Sequence, residues 1–124
     1  MLSITPPLVA VAVERGAGSE ALLAEADCFA VNFLSETQAE HSLAFARHWE
    51  HRTDTWERFL ADEDADGVPL LQGTAGAFSA RVRDRIDVGD HVLVVGEVTA
   101  IHQGDTHRTL VYQHRGYARV GPLD

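Results

Sequence analysis

The stretch from Phe78 to Ile101 limits the possible folds more than any other part of this chain. Phe78, Ala80, Val82 and Ile86 alternate with Ser79, Arg81, Arg83, Arg85 and Asp87, the pattern of a strand with one wet face. Asp84 interrupts its apolar side. Val88-Gly89-Asp90 reads as a turn, and His91 to Ile101, HVLVVGEVTAI, as a long strand. Val92, Val94, Gly96, Val98 and Ala100 share one face of it; His91, Leu93, Val95, Glu97 and Thr99 share the other. Gly96 in mid-strand marks a bend or a close backbone approach. Gln103-Gly104-Asp105 turns the chain again, Arg108 to Gln113 is expected back as a hairpin partner, and Tyr117 to Val120 extends it. Long curved strands with a central glycine favour a β-barrel over a flat sheet.

The N-terminal half alternates strand and helix. Pro7 to Glu14, PLVAVAVE, is short, β-branched and nearly all apolar, the pattern of a buried strand. Arg15-Gly16-Ala17-Gly18 is a loop. Ser19 is placed to cap a helix over Glu20 to Ala26. Cys28 to Leu34, CFAVNFL, is a second buried strand. Ser35 with Gln38 three residues later forms a capping box, and the helix it starts carries Ala39, Leu43 and Ala46 on one face. His48 to Leu60 is ambiguous and reads as a second short helix with Trp56 and Leu60 inward. Ala61 to Gly67, ADEDADG, is an acidic surface loop that lacks EF-hand ligand spacing.

The 124 residues, 45% hydrophobic and 23% charged, suit one globular domain over 1–124. Ten basic against nineteen acidic residues give a formal charge of −9, which repels a phosphate-coated partner and argues against nucleic acid. No apolar run is long enough to cross a bilayer, and no basic, then apolar, leader opens the chain. One cysteine, Cys28, rules out an internal disulfide framework, so the cytoplasm is the expected compartment. Seven histidines raise the question of a metal. His41, His48 and His51 are close in sequence, but no acidic residue or cysteine completes a ligand set. No Gly-x-Gly-x-x-Gly or P-loop pattern is present.

Four blocks in order carry a resemblance. They are Ser3-Ile4-Thr5-Pro6-Pro7-Leu8-Val9, then Phe29 to Gln38 (FAVNFLSETQ), then Gly89-Asp90-His91 with Gly96-Glu97-Val98, then Leu110-Val111-Tyr112 with Gly116-Tyr117. Together they resemble the flavin reductase-like family. The resemblance implies an FMN-binding split barrel that dimerises, binds FMN or FAD near the dimer interface, and takes hydride from NAD(P)H. Many such proteins supply reduced flavin to a separate flavin-dependent monooxygenase. Family members usually carry a few dozen residues before the matching Pro-Pro-Leu-Val strand, so this chain is expected to lack the first strands. Three explanations stay open: truncation, strands supplied by another chain, or loss of the flavin site. An unpaired edge favours an oligomer.

The resemblance points to His91 as the catalytic residue, beside the nicotinamide and the reactive edge of flavin, where an imidazole can donate a hydrogen bond as charge shifts. It points to Ser3, Arg15, Ser19, Asn32, Ser35, Gln38, Arg115 and Tyr117 as cofactor-binding. Asn32 and Ser35 would use a strand end and a helix N-terminus as an anion site. Arg115 would meet a pyridine-nucleotide phosphate, and Tyr117, like Tyr112, would stack on a ring. Structural explanations stand beside these: capping for Ser35 and Gln38, a turn contact to Asp90 for His91, core or interface packing for the tyrosines. Two other functional classes remain open, a non-catalytic ligand-binding barrel and an interaction subunit.

Overall fold

The computed structural model describes residues 1–46, 60–64 and 66–123. Of the expected His48–Leu60 helix, residues 48–59, with Trp56, His48 and His51, lie outside the described residues, and Leu60 opens a strand instead. The elements run β1 (Leu8–Glu14), α1 (Gly18–Glu25), β2 (Cys28–Phe33), α2 (Ala39–Phe45), β3 (Leu60–Glu63), β4 (Pro69–Leu71), β5 (Gly76–Val88), β6 (His91–Gln103), β7 (Leu110–Gln113) and β8 (Gly116–Arg119).

The two long strands pair antiparallel from Gly76 opposite Gln103 to Val88 opposite His91. β1 flanks the His91 half of β6, and β2 flanks the Gly76 half of β5, giving the order β1-β6-β5-β2. The flanking strands therefore sit at diagonally opposite ends. Two bulges curl the sheet further, because an extra residue on one strand bends it and raises its twist. Arg83 is the extra residue on β5 and Thr99 on β6. The result is a curled, mainly β half-barrel, in keeping with the split-barrel expectation.

Its core is Val9, Phe29, Ala80 and Val94, with Val11, Leu23, Val31, Phe78, Val82, Val92 and Val98 packed around them. On β5 and β6 these are the inward faces expected from the alternation, whereas β1 and β2, expected as buried strands, fully bury only Val9 and Phe29 and leave Phe33 47% exposed. Gly96 proves to be a close approach: a Cβ there would lie 2.7 Å from the Phe29 ring. The Arg83 bulge also explains Asp84. It inverts the alternation, so Asp84 and Ile86 turn outward and Ile86 is exposed. Arg85 takes the inward register opposite Val94, and its guanidinium donates to the carbonyls of Leu23 (2.9 Å) and Ala26 (2.7 Å) at the end of α1.

Other local expectations are corrected. The Arg108–Gln113 segment does not return along β6. β7 pairs with β8, while Leu110 N–H donates to Leu34 O and Glu36 N–H to Arg108 O, tying the hairpin to the exit of β2. Ser19 lies within the first turn of α1, not at its cap. Ala17 holds that position, and the Glu20 carboxylate accepts from Gly16 N–H instead. In α2 the buried residue is Ala44, whereas Leu43 is 59% exposed and Ala46 is exposed too. No helix among the described residues is long and apolar enough to cross a membrane.

The acidic loop is only half a loop. Its first part is β3, paired with β4, and Asp64 opens the turn between them. Asp64 Oδ1 accepts from the N–H groups of Asp66 and Val68, both at 2.9 Å, and Oδ2 accepts from the Ser79 hydroxyl. The Ser79 bond, followed by the Val68 N–H, holds the Asp64 carboxyl below its ordinary 3.8. A depressed carboxylate pKa means the unfolded chain binds the proton more readily. The stability it contributes is complete above about pH 4 and is lost as pH falls below the ordinary value. Acid unfolding followed by circular dichroism should show that limb, and Asp64→Asn should make it shallower.

Candidate functional site

Six of the residues named from the resemblance fall into two groups at opposite ends of β6, and Ser3, Arg115 and Tyr117 lie apart from them. At its start, the Arg15 N–H donates to Asp90 O (2.9 Å), which closes β1 onto the β5–β6 turn. The Arg15 guanidinium pairs with Asp87 at 2.5 Å and lies 3.4 Å from Gly89 O. His91 Nδ1 lies 2.7 Å from Asp90 Oδ1. This hydrogen bond is the main reason that the exposed Asp90 carboxyl sits below its usual value, with the imidazole's charge second. An ionised carboxylate only accepts, so Nδ1 carries a proton, and whenever the ring holds a single proton Nε2 is the acceptor. The His91 side chain is 44% exposed. The turn-contact explanation for His91 is thus correct in its geometry, and that same contact fixes the tautomer a functional imidazole would use. Ser19, on the following helix, belongs to this end.

At the other end, Asn32 spends both ends of its amide on β4. Nδ2 donates to Pro69 O (3.3 Å) and Oδ1 accepts from Leu71 N–H (3.0 Å). Gln38 is buried. Its Oε1 accepts from Ser35 N–H (2.9 Å) and its Nε2 donates to Gln72 O. Half the capping box therefore forms: Gln38 reaches back to Ser35, but the Ser35 hydroxyl meets Thr37 Oγ1 (3.1 Å), and α2 starts four residues later with Gln38 at its cap position. Ser35 is 2% exposed and bridges Thr109, so its place is in the strand network rather than at a helix N-terminus. The Asn32 and Gln38 amides are held by β4 and the residue after it, and direct contact of either amide with a ligand would have to replace one of these bonds. Asn32→Ala should therefore cost about 1–3 kcal/mol in chemical denaturation, because Leu71 N–H and Pro69 O lose their partner. An unchanged midpoint would disprove the clamp.

Tyr117 donates from its hydroxyl to Ser42 Oγ (3.0 Å) and packs edge-on to Tyr112 with centroids 5.4 Å apart, so it links β8 to α2. Arg115 and His114 are the central residues of the β7–β8 turn, with φ of 60° and 49°, a left-handed pair that asparagine and glycine usually fill. Arg115 is exposed at the tip. Ser3 forms a bridge to Leu8 at the mouth of β1, with Leu8 N–H donating to Ser3 O at 3.0 Å.

None of these residues lines an apolar groove of about 860 Å³ between the β5–β6 pair and β1. Pro7, Val9, Phe33, Phe78, Val98 and Ile101 are among the residues that line it. Phe33 and Phe78 pack at 5.9 Å, and Ile101 is 83% exposed. Phe78 and Val98 lie on the faces expected to point inward, whereas the Thr99 bulge, which has no residue signature, brings Ile101 to the face of Phe78. Among the described residues, no three His, Cys, Asp or Glu side chains gather as a metal would need.

The donor chemistry suits a flavin and a nicotinamide only in halves. Along β6, eleven strand steps separate His91 from His102, the residue in register with Asn32 through Ala77, on the order of 35 Å measured along the extended strand.

Comparison with known proteins places the fold. Residues 1–121 match the flavin reductase like domain. The chain is 36% identical over 123 residues to stachydrine N-demethylase reductase subunit Stc3 of Rhizobium meliloti (strain 1021), covering 97% of this chain and 48% of that protein. It thus spans about half the length of that curated relative. Among solved structures, BorF, the flavin reductase component of a bacterial two-component tryptophan halogenase, superposes with a TM-score of 0.87 at 28% identity over 98% of this chain and 78% of that one. A nitrilotriacetate monooxygenase component B homologue from Mycobacterium thermoresistibile gives 0.88 at 26% identity, over 98% and 67%. With a match running almost from end to end, and the curled sheet superposing on two flavin reductase-type structures, the chain belongs to the flavin reductase like domain family.

Proposed function

We propose that this chain is the flavin-binding part of an NAD(P)H:flavin oxidoreductase, taking FMN or FAD and passing hydride from NAD(P)H to it. The observation that carries this reading is the family match over residues 1–121, which includes the Gly89-Asp90-His91 turn with its oriented imidazole. Bound flavin and nicotinamide supply the hydride chemistry themselves. The chain's own contribution is binding and orientation. His91 keeps its Nδ1 proton on Asp90 and offers Nε2 to a polar edge of a ring. Asn32 and Gln38 hold β4 in place behind the opposite end. Arg115 at its turn tip is the exposed cation for a phosphate.

The separation of these two ends favours a homodimer in which the His91 end of one copy meets the Asn32 end of another. The exposed apolar groove with Ile101 supports an assembly too, since an apolar surface of that kind is usually covered. We place the protein in the cytoplasm, as a reductase component serving a separate flavin-dependent monooxygenase; similar proteins are named as the reductase subunit of a demethylase, the flavin reductase component of a halogenase and component B of a monooxygenase.

The test is NADH and NADPH oxidation, followed at 340 nm, with and without added FMN or FAD. Turnover that depends on added flavin is expected. A folded chain that binds flavin without turnover would make it a non-catalytic binding barrel. One that binds neither flavin nor nicotinamide but captures a second subunit would make it an interaction module.

A further inference from the structure

We propose that Asp64, Ser79 and His102 form a one-directional hydrogen-bond latch that holds the β3–β4 hairpin on the main sheet and so sets the position of Asn32 and Gln38. Three elements meet there: the β3–β4 turn through Asp64, β5 through Ser79 and β6 through His102. Ser79 is 1% exposed, and its hydroxyl touches both Asp64 Oδ2 and His102 Nε2, the latter at 2.9 Å.

The direction of the chain follows from counting protons. Asp64 Oδ1 already accepts from two backbone N–H groups, so the carboxylate is an acceptor throughout. A serine hydroxyl has one proton, and it goes to Asp64. Ser79 Oγ can then only accept from His102, so His102 Nε2 must carry a proton. The chain runs His102 N–H to Ser79 O–H to the Asp64 carboxylate. Each bond polarises the next, and the serine is shielded from water, which would otherwise compete for it.

The latch reaches the candidate site through β4. The turn that Asp64 organises leads directly into Val68 and Pro69, and the carbonyl of Pro69 and the N–H of Leu71 clamp the Asn32 amide. Gln72 O, one residue past β4, receives the Gln38 side chain. Asp64, Ser79 and His102 are therefore positioning residues. The latch stands whether or not flavin binds.

Asp64→Asn provides a signature that loss of packing would not. The asparagine Oδ1 can still accept from Asp66 and Val68, which keeps the turn. Its Nδ2 must donate to Ser79 Oγ, so Ser79 must turn its proton toward His102, and Nε2 becomes the acceptor. Two-dimensional ¹H–¹⁵N spectra of the ring nitrogens at pH 8, above the ordinary histidine range, read this directly. The wild type is expected to show His102 protonated at Nε2, and Asp64→Asn to show it at Nδ1. In Ser79→Ala, amide exchange at Val68 and Leu71 should rise roughly tenfold, the loss of one buried bond, while β1 and β6 amides stay protected. An Nδ1–H tautomer in the wild type, the same tautomer in wild type and Asp64→Asn, or unchanged hairpin exchange in Ser79→Ala would each overturn the latch. Flavin titration of the same variants separates the two readings. Tautomer inversion in a chain that binds no flavin would leave the latch intact and remove the flavin site.

Discussion

Gly104→Ala is expected to destabilise the fold by about 3 kcal/mol, lowering the thermal midpoint by on the order of 10 °C. Gly104 follows β6 and passes against the chain that enters β5. A Cβ there would sit 2.2 Å from the Ala75 carbonyl carbon, 2.3 Å from Thr74 O and 2.5 Å from Gly76 N. All three are backbone atoms, so no side chain can swing aside. Asp105 N–H donates to Thr74 O across the same contact (3.0 Å), and separating the two segments would break that bond as well. Gly96→Ala meets the Phe29 ring and the Ala80 Cβ, which can shift slightly, and should cost less, about 1–3 kcal/mol. Gly121→Ala meets nothing within 4 Å and serves as the neutral control. Circular dichroism melts of the three variants order these effects. A Gly104→Ala protein that melts with the Gly121→Ala control would mean the two backbones do not approach as described.

His91→Ala should reduce flavin-dependent NADH oxidation roughly 10- to 100-fold, the value of one hydrogen bond made to a group whose charge changes in the transition state. The melting temperature should hardly move, since the side chain is 44% exposed and its bond to Asp90 joins neighbouring residues at the surface. Asp90→Asn separates orientation from presence. The asparagine amide can donate to Nδ1, which would send the ring proton to Nε2 and remove the acceptor there. The Asp90→Asn rate should fall severalfold, between wild type and His91→Ala, with the loss in kcat rather than in flavin affinity. Equal rates in all three proteins would leave the imidazole as a turn contact alone.

Much of this was legible in the chain because strand alternation is a direct record of burial. Val92, Val94 and Val98 face inward as their spacing requires, and Gly96 is the close approach that a mid-strand glycine announces. Bulges defeat that reading. Arg83 and Thr99 have no distinguishing chemistry, yet each inverts the alternation beyond it, which turns Ile86 outward and brings Ile101 beside Phe78. The helix starts were misplaced for a related reason. Ser19 and Ser35 satisfy a capping pattern, but Glu20 and Gln38 supply the local hydrogen bonds, and Ser35 is drawn into a strand bridge with Thr109. Asp64 was read as one solvated acid among several. Its partner Ser79 is fifteen residues away and on a wet-looking face, and only the docking of β3–β4 makes that face dry. The candidate site was legible as residues but not as a place, because the β6 register separates His91 from Asn32.

Titration of the purified chain with FMN and with FAD, followed by visible absorption and flavin fluorescence, tests most directly whether residues 1–121 make a flavin-binding domain. A shifted flavin spectrum with saturable quenching is the predicted result. A folded chain, cooperative in its melt, that leaves the spectra of both flavins unchanged would contradict it.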